Sequence, residues 1–276
     1  MKKVSLSVKE EVNLGSTNFY NKVSVKRVLL CFNGFTTNKK HDLLIFKNFF
    51  DRHNINKNYD VKLVWLYDVG NTKSYNEKSM YKRAYDATKK ELDKGNIVYL
   101  LGYSFSANIT ARLAVEFPSI EKICLISPTT YLIKTSLLFS YIQFAFKNLK
   151  FRLKYKNRAN KFLKKTKIDG VVKLTYEIAK SIAKNRRYLK KVDCKVFMTK
   201  GGSDNLSITD TFNYIAKKSK NAIIISKIYP NRGHTMIMAI ESGRLTFQDV
   251  LSFIFHMSFN DELLEDERNY DVDFNS

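Results

Sequence analysis

The chain has 276 residues, 44% of them apolar and 13% aromatic, with only three prolines, a composition that suits one globular domain with room for an inserted subdomain. Lys and Arg number 48 against 26 Asp and Glu, a formal net charge of +22. That charge sets up a strong positive field, but so high an apolar content excludes a disordered polybasic chain, a collagen-like chain and a low-complexity one.

Cys31, Cys124 and Cys194 are odd in number, lie in or beside apolar runs and show no Cys-x-x-Cys spacing. They read as reduced thiols in a cytoplasmic protein, not as a disulfide framework or a zinc site. Met1-Lys2-Lys3 resembles the start of an export signal, but Lys9-Glu10-Glu11 arrives before any sustained apolar stretch. The longest charge-free apolar-rich run, Thr135 to Phe146, is shorter than the ~20 residues a membrane-spanning helix needs.

In chain order, Val4, Leu6 and Val8 alternate with polar residues, as do Val23 and Val25, which suits a half-exposed edge hairpin. The continuous run Val28 to Phe32 reads as a strand buried on both faces, and His41 to His53 as a helix, with Leu43, Phe46, Phe49 and Phe50 on one side. Strand Val61 to Tyr67, helix Ser74 to Lys94, strand Ile97 to Leu101, helix Ser106 to Phe117 and strand Ile120 to Ile126 follow. A second series comprises strand Lys195 to Thr199, helix Thr209 to Lys218, strand Ala222 to Ile228 and a last helix around Leu245 to Met257. Strands alternating with helices predict an α/β fold, a mostly parallel sheet with helices on both faces.

Between the two series, Thr129 to Asp193 shows helical periodicity and no buried strand, which predicts an insertion. Residues 147–200 hold 19 Lys and Arg against three acids, a net of +16, whereas 259–276 hold seven acids and one Arg, a net of −6. The expected organisation is 1–128 and 194–258 as the two parts of the core, 129–193 as a basic helical insertion and 259–276 as an acidic tail.

The segment Gly102-Tyr103-Ser104-Phe105-Ser106 lies between a predicted strand and a predicted helix. A nucleophilic serine in a strained strand-to-helix turn needs small residues two positions away on either side, and Gly102 and Ser106 meet that need. A serine requires a base, and His234 follows the last strand in the irregular loop Tyr229-Pro230-Asn231-Arg232-Gly233. His41, His53 and His256 lie on or beside helices and read as surface or core residues. The base requires an orienting carboxylate, and Asp204 stands just past the preceding strand, with Asp210 as the alternative. All three would project from the same sheet edge, in the order Ser, Asp, His. Oxyanion donors are expected at the backbone N–H of Phe105 and at that of Phe35 in Asn33-Gly34-Phe35. Ser104 also fits an ordinary helix N-cap, and His234 a structural loop residue.

On these motifs the chain, over about residues 25–258, resembles the α/β-hydrolase superfamily, in its serine-esterase, lipase and acylglycerol-lipase branch. Two positions depart from that pattern: Asn33-Gly34 stands where His-Gly is common, and Ser106 where the elbow usually has Gly. The resemblance implies a serine hydrolase acting on a carboxylic ester, with no metal or organic cofactor and with 129–193 as a lid. A thioesterase or acyltransferase would use the same residues.

Leu137, Leu138, Tyr141 and Ile142 of that segment read either as acyl-binding or as packing on the core. The basic residues read as a solvated face, with peripheral contact to an anionic membrane as the functional alternative and nucleic acid as a lesser one. A non-catalytic hydrolase-like protein that binds through this insertion is the competing class.

Overall fold

A computed structural model describes residues 25–35, 42–130, 165–204, 209–238 and 240–259. The expected N-terminal hairpin, the apolar residues Leu137, Leu138, Tyr141 and Ile142 and nearly all of the acidic tail lie outside the described residues.

Among the described residues, six strands, β1 (Arg27–Phe32), β2 (Tyr59–Val64), β3 (Ile97–Tyr103), β4 (Lys122–Ile126), β5 (Lys195–Gly201) and β6 (Ile223–Tyr229), form one sheet in the order β2-β1-β3-β4-β5-β6, with every pairing parallel. Parallel neighbours require crossovers, and these are supplied by α1 (Asp42–His53), α2 (Glu77–Asp93), α3 (Ser106–Glu116), α4 (Lys165–Asn185) and α5 (Thr209–Lys218), while α6 (Ile240–Phe255) follows the last strand.

Alternation along the strands divides the core into two layers. Val28, Leu30 and Phe32 of β1 face one layer with Met80, Ile109, Leu113, Ile178 and Ile215, whereas Leu29 and Cys31 face the other with Phe46, Phe50, Phe247 and Leu251. Helices α2, α3, α4 and α5 thus cover one face, and α1 and α6 the other. The alternating order of chain elements is the pattern that produces this doubly covered sheet.

Several boundaries differ from expectation for local reasons. β2 ends at Val64, before the expected Tyr67, because the N–H of Leu66 donates to the Asn33 side chain at 2.8 Å. α2 starts at Glu77, not Ser74, because Thr72–Ser74 make a separate 3-10 turn and Asn76 caps the helix by accepting from the Ser79 N–H. β6, expected over Ala222 to Ile228, runs from Ile223 to Tyr229 and, as an end strand of the described sheet, leaves Ile223, Ile225 and Ile228 exposed.

The described part of the expected insertion is firmly packed. Leu174, Ile178 and Ile182 of α4 are buried with the core residues of α2 and α3. Some of its cations are also engaged: Lys184 pairs with Glu77 at 2.7 Å, and Lys173 donates to Thr72 O.

Candidate active site

β3 runs to Tyr103, and Ser104 follows in a strand-to-helix turn with φ 59°. A non-glycine residue in this region is strained by about 1–3 kcal/mol and persists only where its surroundings hold it. Here the Ser104 N–H donates to Ile126 O at 2.9 Å, and Ser104 O accepts from the N–H groups of Ala107 and Thr129, each at 3.2 Å. The turn demands small neighbours for measurable reasons. A Cβ at Gly102 would meet Thr110 Oγ1 at 2.4 Å and Ala107 Cα at 2.7 Å.

Ser106 explains how the turn works without a second glycine. Its fully buried hydroxyl accepts the Tyr103 N–H at 2.8 Å and lies 2.9 Å from both Phe32 O and Tyr103 O, to either of which it can donate. The hydroxyl thereby ties the turn to the end of β1.

The side chains of Ser104, His234 and Asp204 meet above this edge of the sheet. His234 Nε2 lies 2.8 Å from Ser104 Oγ, and His234 Nδ1 lies 3.0 Å from each carboxylate oxygen of Asp204. The Asp204 side chain is wholly buried and that of His234 is 15% exposed. An ionised carboxylate only accepts, so this network assigns the imidazole proton to Nδ1 and leaves Nε2 to accept from the serine hydroxyl. Ser104 thus makes no cap. α3 is N-capped by Phe105 without a side-chain hydrogen bond. The Asp210 side chain lies outside the described residues.

Backbone contacts hold the acid and base loops together. The Gly202 N–H donates to Tyr229 O and the Ser203 N–H to Arg232 O, both at 2.8 Å. From below, the Tyr103 ring stacks on His234, with centroids 6.1 Å apart and planes 20° from parallel, and its hydroxyl lies 3.4 Å from His234 O.

The loop after β1 passes directly over the serine. A Cβ at Gly34 would stand 2.8 Å from Tyr103 Cδ1 and 3.3 Å from Ser104 Cβ, so only glycine allows this approach. Phe35 follows, 44% exposed at the rim, while the Phe105 side chain is buried beneath the turn.

Reading the sequence missed a neighbour of the serine, Thr129, and the residue that holds it, Asn108. Thr129 Oγ1 lies 3.3 Å from Ser104 Oγ, and the Asn108 side chain donates to Thr129 O at 2.9 Å. The position of Thr129, just past the end of β4 on the edge where the other strands end, was the available signal. Of the other histidines, His53 Nδ1 lies 2.8 Å from Phe49 O and His256 Nε2 lies 3.0 Å from Lys122 Nζ, both away from Ser104; His41 lies outside the described residues.

A serine hydroxyl hydrogen-bonded to an imidazole, itself oriented by a buried carboxylate, can lose its proton to that imidazole as it attacks an electrophilic carbon. Among the described residues, no group of three or more His, Cys, Asp and Glu side chains is placed to hold a metal ion. No helix among them is long and apolar enough to cross a membrane.

Sheet order, crossovers and the position of the turn are those of the α/β-hydrolase fold. No protein-family model and no curated protein matches the sequence, but solved structures do match the fold. One, from work on two metagenome-derived lipolytic enzymes, LipS and LipT, superposes with a TM-score of 0.62 at 12% identity, over 85% of this chain and 96% of that one. A soluble variant of monoglyceride lipase from Saccharomyces cerevisiae gives 0.59 at 16% identity, over 88% of this chain and 90% of that one. A hydrolase from Oleispira antarctica gives 0.55 at 18% identity, over 84% and 92%.

Proposed function

We propose that the protein is a serine hydrolase that cleaves a small-molecule carboxylic ester through an acyl-enzyme intermediate. The observation that carries this reading is the continuous chain of contacts from Ser104 Oγ through His234 to the buried carboxylate of Asp204, at 2.8 and 3.0 Å, on a serine held at φ 59°. That lipolytic enzymes and a monoglyceride lipase share the fold supports ester bonds as the target.

In this mechanism Ser104 Oγ attacks the ester carbonyl carbon while His234 Nε2 takes its proton. The carbonyl π electrons move to oxygen, and the N–H groups of Phe35 and Phe105 stabilise that oxyanion. Collapse of the tetrahedral intermediate breaks the bond to the alcohol, which leaves with the proton from His234. Water, activated by the same imidazole, then attacks the acyl-serine, releasing the carboxylic acid and restoring Ser104. Asp204 holds the ring in the Nδ1–H tautomer and stabilises the transient imidazolium.

A p-nitrophenyl ester series of increasing acyl length tests this directly. Wild-type protein should turn over at least one member, and Ser104→Ala should lower kcat by about a thousand-fold or more. Equal rates for the two proteins would overturn the reading.

A further inference from the structure

The carbonyl oxygen of Gly34 is held twice. Asn33 Nδ2 donates to it at 2.9 Å and the Tyr67 hydroxyl at 3.1 Å. Both side chains are buried, Asn33 at 3% exposure and Tyr67 at 0%. The Asn33 amide is itself fixed, because its Oδ1 accepts the Leu66 N–H at 2.8 Å, which leaves Nδ2 as the group facing Gly34 O. Asn33 therefore joins the loop after β1 to the end of β2, the neighbouring strand.

The oxygen of Gly34 and the N–H of Phe35 belong to one peptide group. That peptide is trans, so the two bonds point in opposite directions across a rigid plane. Fixing where the oxygen points fixes where the N–H points. The oxygen is drawn towards the buried Tyr67, so the Phe35 N–H faces the other way. Gly34 meanwhile lies against Tyr103 and Ser104, close enough that its missing Cβ would stand 3.3 Å from Ser104 Cβ.

We infer that Asn33 and Tyr67 are positioning residues that aim the Phe35 N–H at the reacting carbonyl oxygen. The inference rests on the serine-hydrolase reading, in which that N–H is an oxyanion donor. Preorganisation is what gives such a donor its value, since a peptide that had to rotate during the reaction would lose much of the stabilisation. Asn33 acts from the position where a histidine is common in the superfamily that the chain resembles, and Tyr67 supplies a second hold from 33 positions beyond Gly34.

The test uses the full chain and three variants. Tyr67→Phe removes one donor without changing the shape of the ring. Asn33→Asp keeps an acceptor for the Leu66 N–H but loses the donor to Gly34 O, and the third variant combines both changes. Ester hydrolysis gives kcat and KM. An arylboronic acid that forms a tetrahedral adduct on Ser104 reports oxyanion binding, and the unreactive ether analogue of the ester reports ground-state binding.

Each single variant should lose about 10-fold in kcat, and the double variant more, with the boronate affinity falling in parallel. KM and ether inhibition should stay within about twofold of wild type. Unchanged kcat, or equal losses of boronate and ether binding, would overturn the inference while leaving the serine-hydrolase reading intact. Wild-type protein that neither hydrolyses the ester nor binds the boronate would overturn both. Tyr67→Phe, the gentler change, keeps the test decisive where Asn33→Asp does not fold.

Discussion

The carbonyl oxygen of Arg232 lies where a Cβ on Gly201 would come within 2.0 Å of it. That oxygen also accepts the Ser203 N–H at 2.8 Å, so it has little freedom to retreat. Asp204 follows Gly201 by three positions and His234 follows Arg232 by two, so this approach sets the distance between carboxylate and imidazole. Gly201→Ala should therefore destabilise the protein by about 1–3 kcal/mol and, by displacing His234 from Asp204, lower ester turnover by about a hundred-fold. Thermal unfolding and p-nitrophenyl ester kinetics measure the two effects, and wild-type turnover in the variant would show that the contact does not set the spacing.

Ser106→Ala separates stability from chemistry. The buried Tyr103 N–H loses its hydroxyl acceptor and the turn loses its tie to Phe32 O, at a cost of about 1–3 kcal/mol in a urea titration. Phe105 and Ser104 keep their backbone positions, so kcat should fall much less than in Gly201→Ala. A variant as stable as wild type would mean that the Ser106 hydroxyl is dispensable to the turn.

Thiol chemistry should be irrelevant to turnover. Burial pushes the Cys31 and Cys124 thiols far above their ordinary value, and burial with the Asp193 charge pushes Cys194 up to about 12. Thiolate, the reactive form, is scarce at neutral pH in all three. Iodoacetamide applied to native protein should leave ester hydrolysis unchanged, whereas rapid inactivation tracking the alkylation of one cysteine would contradict the account.

Acid should destabilise the fold through two carboxylates. Hydrogen bonds from Arg83 hold Asp68 below the ordinary carboxylate range; burial raises Glu91, but hydrogen bonds from Lys94, Lys62 and Asn96 outweigh it and leave Glu91 below its ordinary value. For both groups the unfolded chain takes up a proton first as pH falls. Their contribution is therefore complete above the ordinary carboxylate pKa of about 4 and is lost as pH drops through it and below. Asp68 is exposed and contributes little. Glu91→Gln should flatten the decline in urea midpoint between pH 5 and pH 3, and an unchanged slope would remove Glu91 from the account.

Much of this was legible in the residues because the relevant constraints are local. Val28 to Phe32 and Ile97 to Leu101 are apolar without interruption, as strands covered on both faces must be, and the small residues flanking Ser104 announce a tight turn. Ser104, Asp204 and His234 could be named because each follows a strand in a parallel sheet, whose strands all end on one edge. What stayed hidden depends on contacts distant in sequence. Nothing near Leu66 indicates that its N–H leaves the ladder for Asn33, which is why β2 ends earlier than its apolar run. The exposure of β6 follows from its place in the sheet, and the isoleucine-rich run Ile223 to Ile225 reads like any buried strand. The burial of α4 was masked by the many lysines around Leu174, Ile178 and Ile182, whose helical spacing marks the face that packs on α3.

The central claim is that Ser104 is a nucleophile activated by His234. Its most direct measurement is intact-mass analysis after exposure to a fluorophosphonate probe, with peptide mapping of the adduct, for wild type, Ser104→Ala and His234→Ala. The account predicts one adduct on Ser104 in wild type, none in Ser104→Ala, and labelling slowed by about a thousand-fold or more in His234→Ala. Folded wild-type protein that resists the probe, or that carries the adduct on another residue, would contradict it.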